Sequence, residues 1–364
     1  MSTCGTMGSS RLAVALWIAL WVTLSVSIIL TNKYVLGYTA FRFPFVLALW
    51  HMLLASASAR TMMKVLAIPD TIKQHGSRTL NLQLAAIGVL FGSALVLGNA
   101  SFIFLSVPTV QMLKAGGPAT IYLISIALGT ESPQLLQATR VLVVCTGVGI
   151  ASYGDITLNV AGLLLQLGSI VTDALRCCFL QRVLQHSQVD APALVTLAHV
   201  APYSAAALVL PMAVVEGQRL VRTFGDWQPA LPAVLLSGLL AACLNFVVFK
   251  LIRLTSALTT SLSGVIKEWV CILVAMYVYG TVVTNLQWVG YSVAIGGLLW
   301  YQSGKLAAAR SPAASGGAAA DKEAAGSCSE EKARLVSSSG YSISGGSGSS
   351  TDFGVDVESG AKSS

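Results

Sequence analysis

Ten runs of apolar residues, each close to the length of a bilayer-crossing helix, punctuate this 364-residue chain and constrain its fold more than any motif. A hydrocarbon core about 30 Å thick takes roughly 20 helical residues to cross. Lipid supplies no hydrogen-bond partners, so a spanning backbone must be helical or closed into a barrel. The runs lie at about 12–32, 43–63, 82–105, 107–128, 138–153, 159–183, 193–215, 231–252, 257–279 and 285–304. The fifth is short and glycine-rich (TGVGIASYG). Between them fall charged or turn-forming stretches such as IPDTIKQHGSRTLN, YGDITLN and QHSQVDAP. The expected fold is an all-α integral membrane protein of ten transmembrane helices.

Composition excludes a soluble domain: 55% of residues are hydrophobic and 10% charged, against about 25% charged in soluble proteins. Residues 1–305 carry 17 Lys/Arg against 8 Asp/Glu, while residues 306–364 carry 5 against 7. The basic residues are spread between apolar spans and form no stripe, so nucleic acid is not an expected partner. With both termini cytosolic, one side collects Arg11, Arg60, Lys64, Lys73, Arg78, Arg140, Arg182, Lys250, Arg253, Lys305 and Arg310. The other keeps Lys33, Arg42, Arg219 and Arg222, a bias that fits the positive-inside rule. The seven cysteines have neither CxxC nor Cys/His metal spacing, and no cofactor motif or catalytic signature is present, so neither a metal, a cofactor nor an enzyme activity is expected. About ten residues precede the first span, too few for a transit peptide, which makes the endomembrane system, the Golgi first, the expected location.

Two lysines lie deep in apolar runs: Lys114 in VPTVQMLKAGGPATIYLISIALG and Lys267 in LTTSLSGVIKEWVCILVAMYVYG. A cation at the centre of a span costs about 2.5–3.5 kcal/mol on insertion scales, a cost borne at a wet cavity or beside a partner. Snorkelling is the plainer reading, but it suits helix ends better than mid-span. Spans four and nine each follow a very short connection, carry one of these lysines and end in Gly-Thr (Gly129-Thr130, Gly280-Thr281). Ten spans divide into two fives, 12–153 and 154–305, and an odd number inverts the second half. Such inverted repeats hold substrate near the midplane in secondary transporters. Residues 1–11 form a cytosolic N-terminus. From residue 306 the chain turns to Ser, Gly and Ala, the composition of a disordered cytosolic tail.

Around the lysines, Gln111 precedes the Gly116-Gly117-Pro118 break within what reads as one helix, and Glu268 follows Lys267 about 100° around the helix. Thr259, His199, Tyr203 and Asn245 are candidate polar lining; Thr259 can instead bond its own backbone, His199 is equally a proton relay or a hydrogen-bonded packing residue, and Asn245 can be a helix–helix contact. Asp173 and Arg176, three apart, read as a structural ion pair.

The segments TNKYVL, SVPTVQMLKAGGP, ASYGDITLNVAGLLLQLGSIVTDALRCCFLQRVLQ and LTTSLSGVIKEW resemble the triose-phosphate/nucleotide-sugar transporter family of the drug/metabolite transporter superfamily, and within it the plant-type branch of probable sugar phosphate/phosphate translocators. The likeness covers essentially residues 12–305. It implies ten helices in an inverted five-plus-five repeat and antiport by alternating access, with Lys114 and Lys267 matching the lysines that plastid members use to hold a substrate phosphate. Where those members follow the second lysine with arginine this chain has Glu268, and where they read Tyr-Asn it has Leu244-Asn245. In the plant-type branch a Tyr-Tyr pair stands where this chain has Ala198-His199. The expected function is exchange of a nucleotide-sugar or sugar phosphate for a nucleotide monophosphate or phosphate, with a phosphorylated small molecule and the lipid bilayer as partners and a homodimer as an assembly such a chain can form. The rivals are plastid-type triose-phosphate or phosphoenolpyruvate exchange and a non-transporting scaffold acting through its tail.

Overall fold

A computed structural model describes residues 4–74, 77–155, 158–187, 192–254 and 257–310; the side chains of residues 4–12, 184–187, 249, 252–254, 257–262 and 305–310 are outside the description. The expected tail therefore lies outside it beyond Arg310, and so does the side chain of Thr259. The bundle comprises residues 1–306. Only helices occur among the described residues: α1 (Cys4–Lys33), α2 (Pro44–Val65), α3 (Thr71–Gln74), α4 (Arg78–Phe104), α5 (Val107–Lys114), α6 (Gly117–Ala127), α7 (Leu135–Tyr153), α8 (Val160–Ser187), α9 (Ala193–Met212), α10 (Gln218–Arg222), α11 (Phe224–Trp227), α12 (Leu231–Leu254), α13 (Ala257–Tyr279) and α14 (Asn285–Arg310). Seven helical segments of the described residues are long and apolar enough to cross a membrane. The chain is a multi-pass membrane protein.

Helix ends follow local chemistry. Proline opens α2, α5 and α6 in the first turn, where its missing N–H costs nothing. Ser77 and Ser106 cap α4 and α5 by accepting backbone N–H bonds. After α6 and α13 the chain turns through Gly129 (φ +69°) and Gly280 (φ +61°), a left-handed geometry that an L side chain resists. In both places the following threonine folds its hydroxyl back onto the helix, Thr130 to Ser125 O and Thr281 to Ala275 O.

The fourth apolar run departs from expectation. It is two helices, because Gly116 and Gly117 loosen the backbone and Pro118 opens α6, so Lys114 closes α5 at a break instead of sitting inside one helix. Lys33, just past the expected end of the first apolar run, is taken up by the fold. It is the last residue of α1, 9% exposed, and its ammonium donates to Phe102 O and Leu105 O at 2.8 Å each, satisfying carbonyls that the end of α4 leaves free. Helix α9, with Pro202 and Pro211 inside it, runs into a wider π turn at Ala213–Gly217. There Glu216 accepts from the N–H groups of Phe45 and Val46 at 3.0 Å, fastening the start of α2 to the end of α9.

Packing brings α4 against α8 and α9, α1 against α12 and α13, α2 against α9 and α12, and α5 against α13. Helices α7 and α14 run antiparallel at very close range. A Cβ placed on Gly147 would lie 2.3 Å from Ala294 N, and one on Gly290 would lie 2.3 Å from Ala151 N. Small residues permit that approach.

Candidate functional site

Between α1, α4, α6 and α8 lies a cavity of about 410 Å³, within the range of about 300–1,000 Å³ usual for small-molecule sites. Its polar wall comprises Asn32, Asn99, Lys114, Gln166, Ser169 and Asp173. The break after α5 puts Lys114 on this wall: its side chain is exposed to the cavity although the preceding residues Gln111, Met112 and Leu113 are buried. Among the described residues Lys114 Nζ has no hydrogen-bond acceptor; it stands over the Phe102 ring, 5.9 Å from the centroid. This contrasts with Lys33, which holds two carbonyls. The cavity lining thus offers one ammonium without an acceptor, alongside the Asp173 carboxylate.

Lys267 comes from α13, the helix packed against α5, and its charge interacts with that of Lys114, as do those of Glu268 and Asp173. Lys267 Nζ stands 6.0 Å from the Trp21 ring centre on α1, whereas Glu268, a step around the helix, faces Tyr291 of α14. Lys114 and Lys267 thus sit among two carboxylates, Glu268 and Asp173, and of the four only Lys114 and Asp173 line the cavity.

The remaining candidates are distributed differently. Gln111 is 1% exposed and its Nε2 lacks a partner among the described residues, but it does not line the cavity. Asp173 and Arg176 form the expected pair, Nε to Oδ1 at 2.8 Å, and Asp173 also lines the cavity beside Lys114. His199 bonds Asp70 at 2.9 and 3.0 Å and borders a separate cleft with Arg60 and Lys64. That contact ties α9 to the short segment before α3. Tyr203 packs over Gly88 of α4. Asn245 is partly buried on α12 and is not among the cavity residues.

Sequence reasoning missed the amides. Asn99 and Gln166 are 3% and 0% exposed, and Asn99 Nδ2 and Gln166 Nε2 have no partner among the described residues. Gln166 Oε1 accepts from the Ser101 hydroxyl at 2.8 Å, and Ser169 donates to Ala94 O at 2.8 Å. On α1, Asn32 Oδ1 accepts from Ser237, whose oxygen lies 2.7 Å from His51 Nε2, a buried polar chain across α1, α12 and α2. The available signal was an amide inside an apolar span, as informative there as a lysine.

These features meet independent comparisons. The sequence profile of the Triose-phosphate Transporter family matches residues 12–302. Two probable sugar phosphate/phosphate translocators of Arabidopsis thaliana are 32% identical to the chain, one over 76% of it and 82% of the relative, the other over 88% and 90%. A UDP-galactose transporter of Arabidopsis thaliana is 24% identical over 82% of the chain and 87% of that protein. A match over most of the chain, with relatives of this identity and coverage, leaves one assignment: the chain belongs to the triose-phosphate transporter family.

Proposed function

We propose that this protein is a secondary-active antiporter, exchanging a nucleotide-sugar or sugar phosphate for a nucleotide monophosphate or inorganic phosphate by alternating access across an endomembrane, the Golgi first, with both termini cytosolic. The observation that carries the reading is Lys114: an ammonium on the wall of a 410 Å³ cavity inside the bundle, with no acceptor among the described residues. A phosphate oxyanion supplies that acceptor, and Lys267, within electrostatic range, supplies a second charge. The names borne by the relatives, sugar phosphate/phosphate translocator and UDP-galactose transporter, agree with a phosphorylated cargo.

The ten-helix inverted repeat has its own support. Taking α5 and α6 as one span gives ten: α1, α2, α4, α5–α6 and α7, then α8, α9, α12, α13 and α14. Exchanging the halves maps the α1·α12 packing onto α8·α4, α2·α12 onto α9·α4, and α1·α13 onto α8·α6, all of which occur. The antiparallel α7/α14 pair maps onto itself. The domains would then be residues 12–153 and 154–305. In this reading Gln111, Asn245, His199, Tyr203 and Thr259 lie along the path that closes and opens around the bound phosphate.

The test is counterflow in proteoliposomes containing the purified full chain. Phosphate-loaded vesicles should take up labelled phosphate or a sugar phosphate, and Lys114→Gln should reduce uptake by about tenfold to a hundredfold, the worth of one charge-assisted bond of roughly 1.5–3 kcal/mol. Uptake indifferent to both Lys114→Gln and Lys267→Gln would remove the proposal.

A further inference from the structure

A trough of about 790 Å³ runs along the α4/α8 pair, apart from the cavity that other residues of the same two helices line. The helices are antiparallel, with Ser101 meeting Gln166, Ser169 meeting Ala94 O and Arg176 lying over the Phe91 ring, so the start of α4 lies beside the end of α8. Gln83, Ala86 and Leu90 recur at three- and four-residue intervals and form one wall; Phe179 and Arg182, three apart on α8, belong to the other. Most of the trough is apolar, and Val89 and Phe179 are 50% and 37% exposed in segments that cross the membrane. One end is polar. There Arg182, in the last turn of the span Val160–Val183, is exposed and has no hydrogen-bond or ion-pair partner among the described residues, with the half-buried Gln83 amide on the facing helix. An exposed arginine at a span end by itself does no more than snorkel to the interface. Arg182 also closes the end of an apolar trough, and the combination is the complement of a phospholipid: acyl chain along the trough, phosphate at the guanidinium.

We propose that the α4/α8 trough is a binding site for an anionic phospholipid, its acyl chain over Ala86, Val89, Leu90 and Phe179 and its phosphate on Arg182 and the Gln83 amide. The guanidinium fork matches two phosphate oxygens, and the amide donates to a third. Charge selects the headgroup: a choline brings its own cation beside Arg182, whereas a bare phosphomonoester meets the guanidinium unopposed. A lipid held there touches both α4 and α8 and fastens together the two helices that carry Asn99 and Gln166 to the cavity. The site shares no lining residue with that cavity and stands whether or not the antiport reading does.

The experiment titrates the detergent-solubilised full chain with dioleoyl phosphatidic acid or dioleoyl phosphatidylcholine and reads the first lipid bound by native mass spectrometry. The wild type should prefer phosphatidic acid by about fivefold, the worth of one cation near a membrane surface. Arg182→Gln should erase that preference, and Arg182→Lys, which keeps the charge, should retain most of it. Ala86→Trp fills the trough from an exposed position and should weaken both lipids by about tenfold with Arg182 intact. Glycerol 3-phosphate, the same headgroup without chains, should fail to displace the lipid. Equal affinity of the wild type for the two lipids overturns the proposal whether or not any variant folds. So does a preference that survives Arg182→Gln, binding indifferent to Ala86→Trp, or displacement by glycerol 3-phosphate, which would mark a site for free phosphate esters instead.

Discussion

Two glycines of α7, two residues apart, should respond oppositely to the same substitution. A Cβ on Gly147 would meet Ala294 N at 2.3 Å, Ala294 Cα at 2.7 Å and Gly290 O at 2.7 Å, all backbone atoms of α14 that cannot rotate aside. One on Gly149 would meet nothing within 4 Å. Replacing either glycine by alanine stabilises the helix by about 0.5–1 kcal/mol through backbone entropy, a gain common to both. Their difference therefore isolates the clash. Relieving it requires α7 and α14 to separate by about 1 Å, which loosens the matching contacts at Gly290 and Gly297 and costs about 1–3 kcal/mol, as overpacking does. Thermal unfolding in detergent micelles, followed by tryptophan fluorescence, should place Gly147→Ala below wild type and Gly149→Ala at or above it. Equal midpoints for the two variants would refute the close antiparallel packing of α7 and α14.

Lys33→Met should destabilise the bundle by roughly 1.5–3 kcal/mol for each of the two carbonyl bonds lost, read as a lower melting midpoint; an unchanged melt would show that the end of α4 is satisfied some other way. At Asp70, outside the spans, burial pushes the carboxyl upward, but the Lys73 N–H, the His199 bond and the charges of both outweigh it and leave the group below its ordinary value. Its stabilising contribution is thus complete above the ordinary carboxylate range and is lost as pH falls through the lowered folded value. Melting curves of Asp70→Asn and wild type should differ near neutral pH and converge in acid; a gap that persists in acid would contradict the assignment.

The membrane class was legible because it depends on run length and hydropathy, which a bilayer reads one residue at a time. Lys114 was legible for the same reason: a cation in hydrocarbon stands out without any knowledge of neighbours. The break that positions it was visible as Gly116-Gly117-Pro118, yet its consequence, turning a mid-helix lysine into a helix-terminal one, depends on how α6 restarts against α8. Asn99 and Gln166 stayed hidden because an amide in a span is costly only when unpaired, and pairing is decided by residues far away in sequence, as Ser101 with Gln166 shows. His199 was visible as a polar residue, but its partner Asp70 is 129 positions distant, so sequence could not separate a path-lining role from a tie between segments.

Lys33 and Lys114 show which property decides the fate of a cation within the bundle. Both are lysines at the C-terminal end of a helix beside α4, so neither location nor residue type separates them. Acceptors do. Lys33 has two carbonyl oxygens at 2.8 Å and is 9% exposed; its charge is spent on the fold. Lys114 lines the cavity over the Phe102 ring, with a second ammonium within electrostatic range. Folding alone would favour an apolar side chain there, since an uncompensated charge loses hydration and gains no bond. A position that opposes stability in this way fits the anion-binding role proposed for it.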